Sequence, residues 1–218
     1  MKIISTFLYF ILILIIPFAQ ASGVSIGGTR FIYEINKREI NIPIFNGDKE
    51  KPYLIQSWVS SFDNNTKSPF IAMPPLFRIE PNSHGSARIS YIGEPLGANQ
   101  EKLYLLNVKA IPPKEGNAEN ELQIIINSQF KLFLRSQDMV PIDFEQVKIV
   151  KKSDGIMINN QTPYHLSIKK ILIDGKKAKG IGIVYPFKND YILKIKTTDK
   201  NLIEVKFIND YGAIVVKK

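Results

Sequence analysis

Residues able to do covalent chemistry are few in this chain and badly placed for it. There is no cysteine, which excludes thiol catalysis and thiolate metal sites. The two histidines, His84 and His165, stand far apart, and neither has a carboxylate at metal-ligand spacing. No Gly-rich phosphate loop and no Gly-x-Ser-x-Gly turn is present. No catalytic residue, metal site or cofactor is therefore expected. The pattern that stands out is one of binding: ELQIIINSQFKLFLR, residues 121–135. Leu122, Ile124 and Ile126 recur with period 2 and would share one face of a strand, with Lys131 and Arg135 at its far end. A run of 15 residues without Gly or Pro is well beyond the usual strand of about five or six. A long apolar edge is normally an aggregation hazard. Here it reads as a tool that pairs with another chain and supplies it with a strand, while a cation holds that chain's end. On residue pattern alone, the competing readings are a plain core face for the three aliphatics and solvated strand charges for the cations.

The elements that must position this run are themselves strands. Helical periodicity is nearly absent, and short β-rich runs alternate with turn residues, as in a sandwich. Residues 24–34, 39–45, 52–60, 71–79, 86–92 and 103–111 precede the long run. Pro74-Pro75 interrupts the fourth, which fits an edge strand or one that switches sheets. Trp58, the only tryptophan, is expected in the core between the sheets. A boundary falls near residues 136–142. Runs at 146–150, 156–159, 164–173, 182–185, 191–197, 202–208 and 213–216 follow, with Asp174-Gly175 as a hairpin signal.

At the start, Lys2, an apolar stretch over residues 7–18 and Ala19-Gln20-Ala21 read as a secretory signal peptide cut after Ala21. Its apolar core is short of the roughly 20 residues that a membrane span needs. The remaining residues suit two sandwich domains, 22–141 and 142–218. The net charge of +9 is uneven: residues 22–142 hold 13 Lys and Arg against 12 Asp and Glu, whereas residues 143–218 hold 15 Lys, no Arg and 8 Asp and Glu. Scattered lysines without arginine favour a solvated face over nucleic-acid recognition. Docking on an anionic membrane surface or an acidic partner stays open.

The segment LGANQEKLYLLNVKAIPP, residues 96–113, resembles the signature of the periplasmic chaperones that assemble pili by the chaperone–usher route, such as those of type 1 and P pili. Asn99-Gln100-Glu101, Asn107 and Ile111-Pro112-Pro113 fit the pattern, while Gly97, Lys102 and Leu105 depart from its usual choices. PYLIQSWV, MPPLFRIEP, FKLFLR, QTPYHL and INDYG are similar to further family segments, so the resemblance covers essentially the whole mature chain. It implies an all-β fold of two immunoglobulin-like β-sandwich domains in an L shape, with an interdomain cleft. It implies a non-enzymatic chaperone that binds, folds and caps pilus or fimbrial subunits and delivers them to an outer-membrane usher. Those subunits have an immunoglobulin-like fold lacking its last strand, and the chaperone fills the gap by donor-strand complementation.

Residue by residue, Arg30 and Lys131 match the pair that holds the subunit's C-terminal carboxylate. Leu122, Ile124 and Ile126 match the donated side chains. Glu101, Arg135 and Asp210 match an ionic network that fixes the angle between the domains. The implied location is the periplasm, with no stable membrane insertion once the leader is gone and no nucleic-acid partner. Whether the free chain self-associates is left open. The rival reading is a secreted two-domain β-sandwich adhesin or structural surface protein, exposed outside the cell and forming no tight complex with a strand-deficient chain.

Overall fold

The computed structural model describes residues 23–63, 67–96, 100–114, 123–180, 182–196, 198 and 200–218. The expected leader over 1–21, Gly97 and Asn99 of the signature, and Leu122 lie outside the described residues. Among the described residues, regular structure is all strand except for one 3-10 turn, Phe144–Gln146, whose N-cap is Asp143.

The first nine strands are β1 (Val24–Ile26), β2 (Arg30–Glu34), β3 (Ile40–Asn46), β4 (Tyr53–Ser61), β5 (Phe70–Met73), β6 (Leu76–Ile79), β7 (Ser83–Tyr91), β8 (Lys102–Ile111) and β9 (Ile126–Arg135). They form two sheets, β1-β3-β7-β5 and β2-β9-β8-β4-β6. Ile42, Ile44, Ile55, Ile89, Leu106, Leu132 and Leu134 pack between them. Period-2 burial drives this closure, because each strand sends every second side chain inward. β4 is an example: Ile55, Ser57 and Val59 are buried, and Leu54, Gln56 and Trp58 alternate with them. Trp58 is thus half-buried on the outer face, contrary to its expected place in the core. Parity overrides residue type here, and the small Ser57 takes the inner position.

The eight remaining strands are β10 (Val147–Lys152), β11 (Gly155–Asn160), β12 (Leu166–Ile173), β13 (Lys176–Ala178), β14 (Ile183–Val184), β15 (Lys188–Leu193), β16 (Ile203–Ile208) and β17 (Ile214–Lys217). They build a second pair of sheets, β10-β11-β15 and β13-β12-β16-β17, with β14 also on β12. Val147, Ile156, Ile158, Ile171, Val205 and Phe207 fill the space between. Asp174 and Gly175 take φ values of 50° and 77°, which makes the tight β12–β13 hairpin.

Two expected runs divide. Residues 24–34 become β1 and β2, which belong to different sheets. The chain crosses over at Gly27-Gly28, where a Cβ on Gly27 would come within 2.7 Å of Pro43 Cγ. Residues 71–79 become β5 and β6, again in different sheets, broken at Pro74-Pro75.

The long run also begins later than its composition indicates, at Ile126 rather than 121. Its partner β8 ends at Ile111, where Pro112 and Pro113 cannot continue the ladder. Between Ala110↔Ile126 and Lys102↔Leu134 the β8–β9 register is unbroken, so β9 has no bulge. Leu132 and Leu134 point into the core, and Lys131, Phe133 and Arg135 lie on the opposite face. On the other edge of β9, β2 runs parallel and covers only Lys131 to Arg135. β1 pairs with β3 instead. Over residues 126–130 this edge therefore has no strand partner among the described residues.

Leu132 and Ile126 share one face of β9 but differ in surroundings: Leu132 is fully buried and Ile126 is 62% exposed. Leu132→Ala should destabilise the first domain by about 2–5 kcal/mol in chemical unfolding. Ile126→Ala should stay within about 0.5 kcal/mol of the parent.

Candidate functional site

Arg30 opens β2 and Lys131 lies beside it on β9, as lateral partners in the parallel register. Both side chains reach toward the second domain. Arg30 Nη1 donates to the carbonyls of Ile208 at 3.0 Å and Asn209 at 3.3 Å. Its Nη2 lies 3.3 Å from Asp210 Oδ1, and the guanidinium sits 4.4 Å above the Phe133 ring. Only 9% of the Arg30 side chain is exposed, and its Nε is buried without a recorded partner. Lys131 Nζ donates to Ser167 Oγ at 3.1 Å. Burial pushes the Arg30 guanidinium below its ordinary pKa, despite Asp210 and Glu101. Burial also pushes Lys131 down, and the neighbouring Arg30 charge adds to it. Two cations held side by side and partly desolvated favour the arrival of an anion. An ammonium with donors to spare beside a guanidinium is suited to a carboxylate.

The last residue of β9 closes a second cluster. Arg135 Nε donates to Glu101 Oε2 at 2.6 Å, and its two terminal nitrogens grip Asp210 at 2.6 and 2.9 Å. Glu101 is buried, and its other oxygen accepts the His165 backbone N–H at 2.9 Å, with His165 Nδ1 at 3.1 Å. The Glu101 backbone N–H donates to the Pro163 carbonyl. The Tyr164 ring lies 4.7 Å from the Arg135 guanidinium. Burial alone would lower the Arg135 pKa, but Asp210 and Glu101 outweigh it and the net shift is upward. Burial would likewise raise Asp210, and Arg135 with Arg30 holds its carboxyl below the usual range instead. Glu101, Arg135 and Asp210 thus meet in one network that joins strands of both sandwiches.

The aliphatic end of β9 sits elsewhere. Ile124 and Ile126 are 69% and 62% exposed, beyond the packed part of the sandwich. With Val24, Ile26, Tyr53, Val108 and Ala110 they line an open groove of about 310 Å³ next to the unpaired edge. The outer face of the same sheet carries Trp58 opposite Asn107, and Asn107 opposite Gln129. Gln129 Nε2 donates to Asn107 Oδ1, and Asn107 Nδ2 donates to Ser60 Oγ, forming a polar row next to Lys131.

Phe133, Ser167 and His165 carry no expected role in the sequence. Phe133 supports Arg30, Ser167 receives Lys131, and His165 completes the hydrogen bonding of Glu101 from 64 positions away. Lys131 reaches the second domain by simple alternation, since the face opposite Ile126 is the one that meets that domain.

Comparison with known proteins places this geometry in a family. The model for the N-terminal domain of the pili and flagellar-assembly chaperone PapD matches residues 23–139, and that for the PapD C-terminal domain matches residues 143–218. A probable fimbrial chaperone, ElfD of Escherichia coli O157:H7, is 33% identical over 199 residues, covering 89% of this chain and 85% of its own length. The chaperone LpfB of Salmonella typhimurium is 32% identical over 210 residues, covering 93% of this chain and 90% of its own. Among solved structures, the SafB chaperone of Salmonella enterica, seen with the SafA pilin, superposes with a TM-score of 0.78 at 29% identity, covering 90% of this chain and 95% of that one. CupB2 of Pseudomonas aeruginosa gives 0.75 at 26% identity, covering 88% and 97%. With both domains matched in order and two immunoglobulin-like sandwiches in place, the chain belongs to the PapD family of pilus-assembly chaperones.

Proposed function

We propose that this chain is a periplasmic, non-enzymatic chaperone that caps pilus subunits by lending them β9 and passes them to an outer-membrane usher. Export would use residues 1–21 as a leader, and the working domains would be 22–141 and 142–218. One observation carries the reading: the β9 edge over residues 126–130 has no strand partner among the described residues, and it lies between the exposed Ile124 and Ile126 and the cations Arg30 and Lys131. A subunit lacking a strand satisfies that edge through main-chain hydrogen bonds and takes Leu122, Ile124 and Ile126 into its own core. Each buried aliphatic contributes roughly 1.5–3 kcal/mol before ordering costs. The subunit's terminal carboxylate seated on Lys131 and Arg30 fixes the register, and a one-residue slip would turn the aliphatics away. No nucleotide or cofactor enters this scheme. Kinship with fimbrial chaperones favours it over the surface-adhesin reading.

Glu101, Arg135 and Asp210 act in this scheme as the clasp that holds the two domains at a working angle. The Asp210 carboxyl is held below its unfolded value, so its contribution is fully present above about pH 4 and is lost as pH falls through the folded value.

Co-expression with its pilus subunit tests the anchor: Arg30→Ala and Lys131→Ala should each reduce the yield of the periplasmic complex, and an undiminished yield would count against the seat. Trp58 is the only tryptophan and lies on the outer face of the client-binding sheet, so adding subunit should shift its fluorescence. Arg135→Ala strips the buried Glu101 carboxylate of its arginine, leaving it only His165, and should cost about 3–5 kcal/mol in unfolding. In a pH series, the stability gap between the parent chain and Asp210→Asn should be widest near neutrality and close below about pH 4.

A further inference from the structure

The lysine surplus of the second domain plays no part in the scheme above, yet two of those lysines are placed with purpose. β12 and β16 set Lys170 directly opposite Lys206, after an irregularity between Ile168 and Lys170. Their neighbours Ile168, Ile171, Val205 and Phe207 belong to the inner face, so Lys170 and Lys206 belong to the outer one. β17 widens this face, with Ile214 beside Ile208 and Val216 beside Lys206, 47% and 43% exposed. The face begins at the domain joint, because Ser167 receives Lys131 and the Ile208 carbonyl receives Arg30.

Like charges directly opposite on paired strands repel. Lys206 has Glu204 at 2.9 Å on its own strand. For Lys170 no ion pair is recorded among the described residues. An anionic group arriving at this pair offsets the repulsion, and Ile208, Ile214 and Val216 offer it aliphatic contact. We propose that this face of the second domain is a further docking surface for the pilus subunit, selecting subunits that present acidic side chains beside an apolar patch. The inference rests on the chaperone reading above and extends it, since the face is continuous with the Arg30–Lys131 seat. Charge alone does not define it, because Lys148 and Lys152 lie on the opposite sheet of the same sandwich.

The test uses the full mature chain co-expressed with a pilus subunit of the same organism and purified as their complex. Affinity is compared among the parent chain, Lys170→Glu/Lys206→Glu, the milder Lys170→Gln/Lys206→Gln, and Lys148→Glu/Lys152→Glu as an equal charge change elsewhere. Thermal unfolding of each free variant checks its folding. The Lys170/Lys206 reversal should weaken the complex by about five- to tenfold at low salt. The Gln pair should weaken it less, and the Lys148/Lys152 pair should leave it unchanged. The difference should shrink at roughly 0.5 M salt, where charges are screened within about 5 Å. Equal effects of the two reversals, or none, overturn the docking surface while leaving the chaperone reading intact, provided that Arg30→Ala still reduces capture. Loss of binding to phosphatidylglycerol vesicles with unchanged pilin affinity also overturns it, in favour of a lipid surface. A parent chain that captures no pilin removes both readings.

Discussion

Main-chain N–H and C=O groups along a strand need partners, and the edge of β9 left without one among the described residues is the constraint from which the rest of this molecule follows. The first strand of the chain could have covered that edge along its whole length. It does not, because the crossover at Gly27-Gly28 sends β1 to the opposite sheet and leaves β2 to protect only Lys131 to Arg135. Two glycines at a crowded crossing thereby decide how much of β9 is open. The open part begins at Ile126, whose side chain is exposed beyond its own core.

Electrostatics then divide the remaining part of β9 between two tasks. Lys131, with Arg30 from β2, forms a pair of cations whose pKa values burial pushes down, the Arg30 charge adding to the effect on Lys131. Arg135, two positions beyond Phe133, is instead saturated by carboxylates on both sides of the joint. Asp210 touches both arginines, so Arg30 and Arg135 share one carboxylate. Exposed ion pairs of this kind contribute little. Here Glu101 is wholly buried and also accepts from the His165 backbone, so the cluster is part of the packing between the sandwiches.

Much of this was legible in the sequence because alternation is a strong local signal. Nearly every strand was visible as a run, and Asp174-Gly175 announced its turn. The misreadings have a common cause: the sequence states residue type, whereas the fold assigns parity. Trp58 looks like a core residue by type and is displaced outward by Ile55, Ser57 and Val59. The run from 24 to 34 looks continuous because nothing local distinguishes a flexible Gly-Gly from a crossing that only glycine can make. The early start assigned to β9 came from reading its apolar residues without the partner that stops at Pro112. Contacts such as Glu101 with His165 are invisible to any window, since they depend on how two domains meet.

From Lys131 to Arg135 both faces of β9 are already committed, inward to the sandwich and outward to the joint. Substitutions there disturb folding and domain coupling together, which makes that stretch a poor place for evolutionary drift. The few positions before Ser128 carry neither obligation. Sequence change is therefore accommodated by the fold more readily in that short leading segment than in the stretch that follows it.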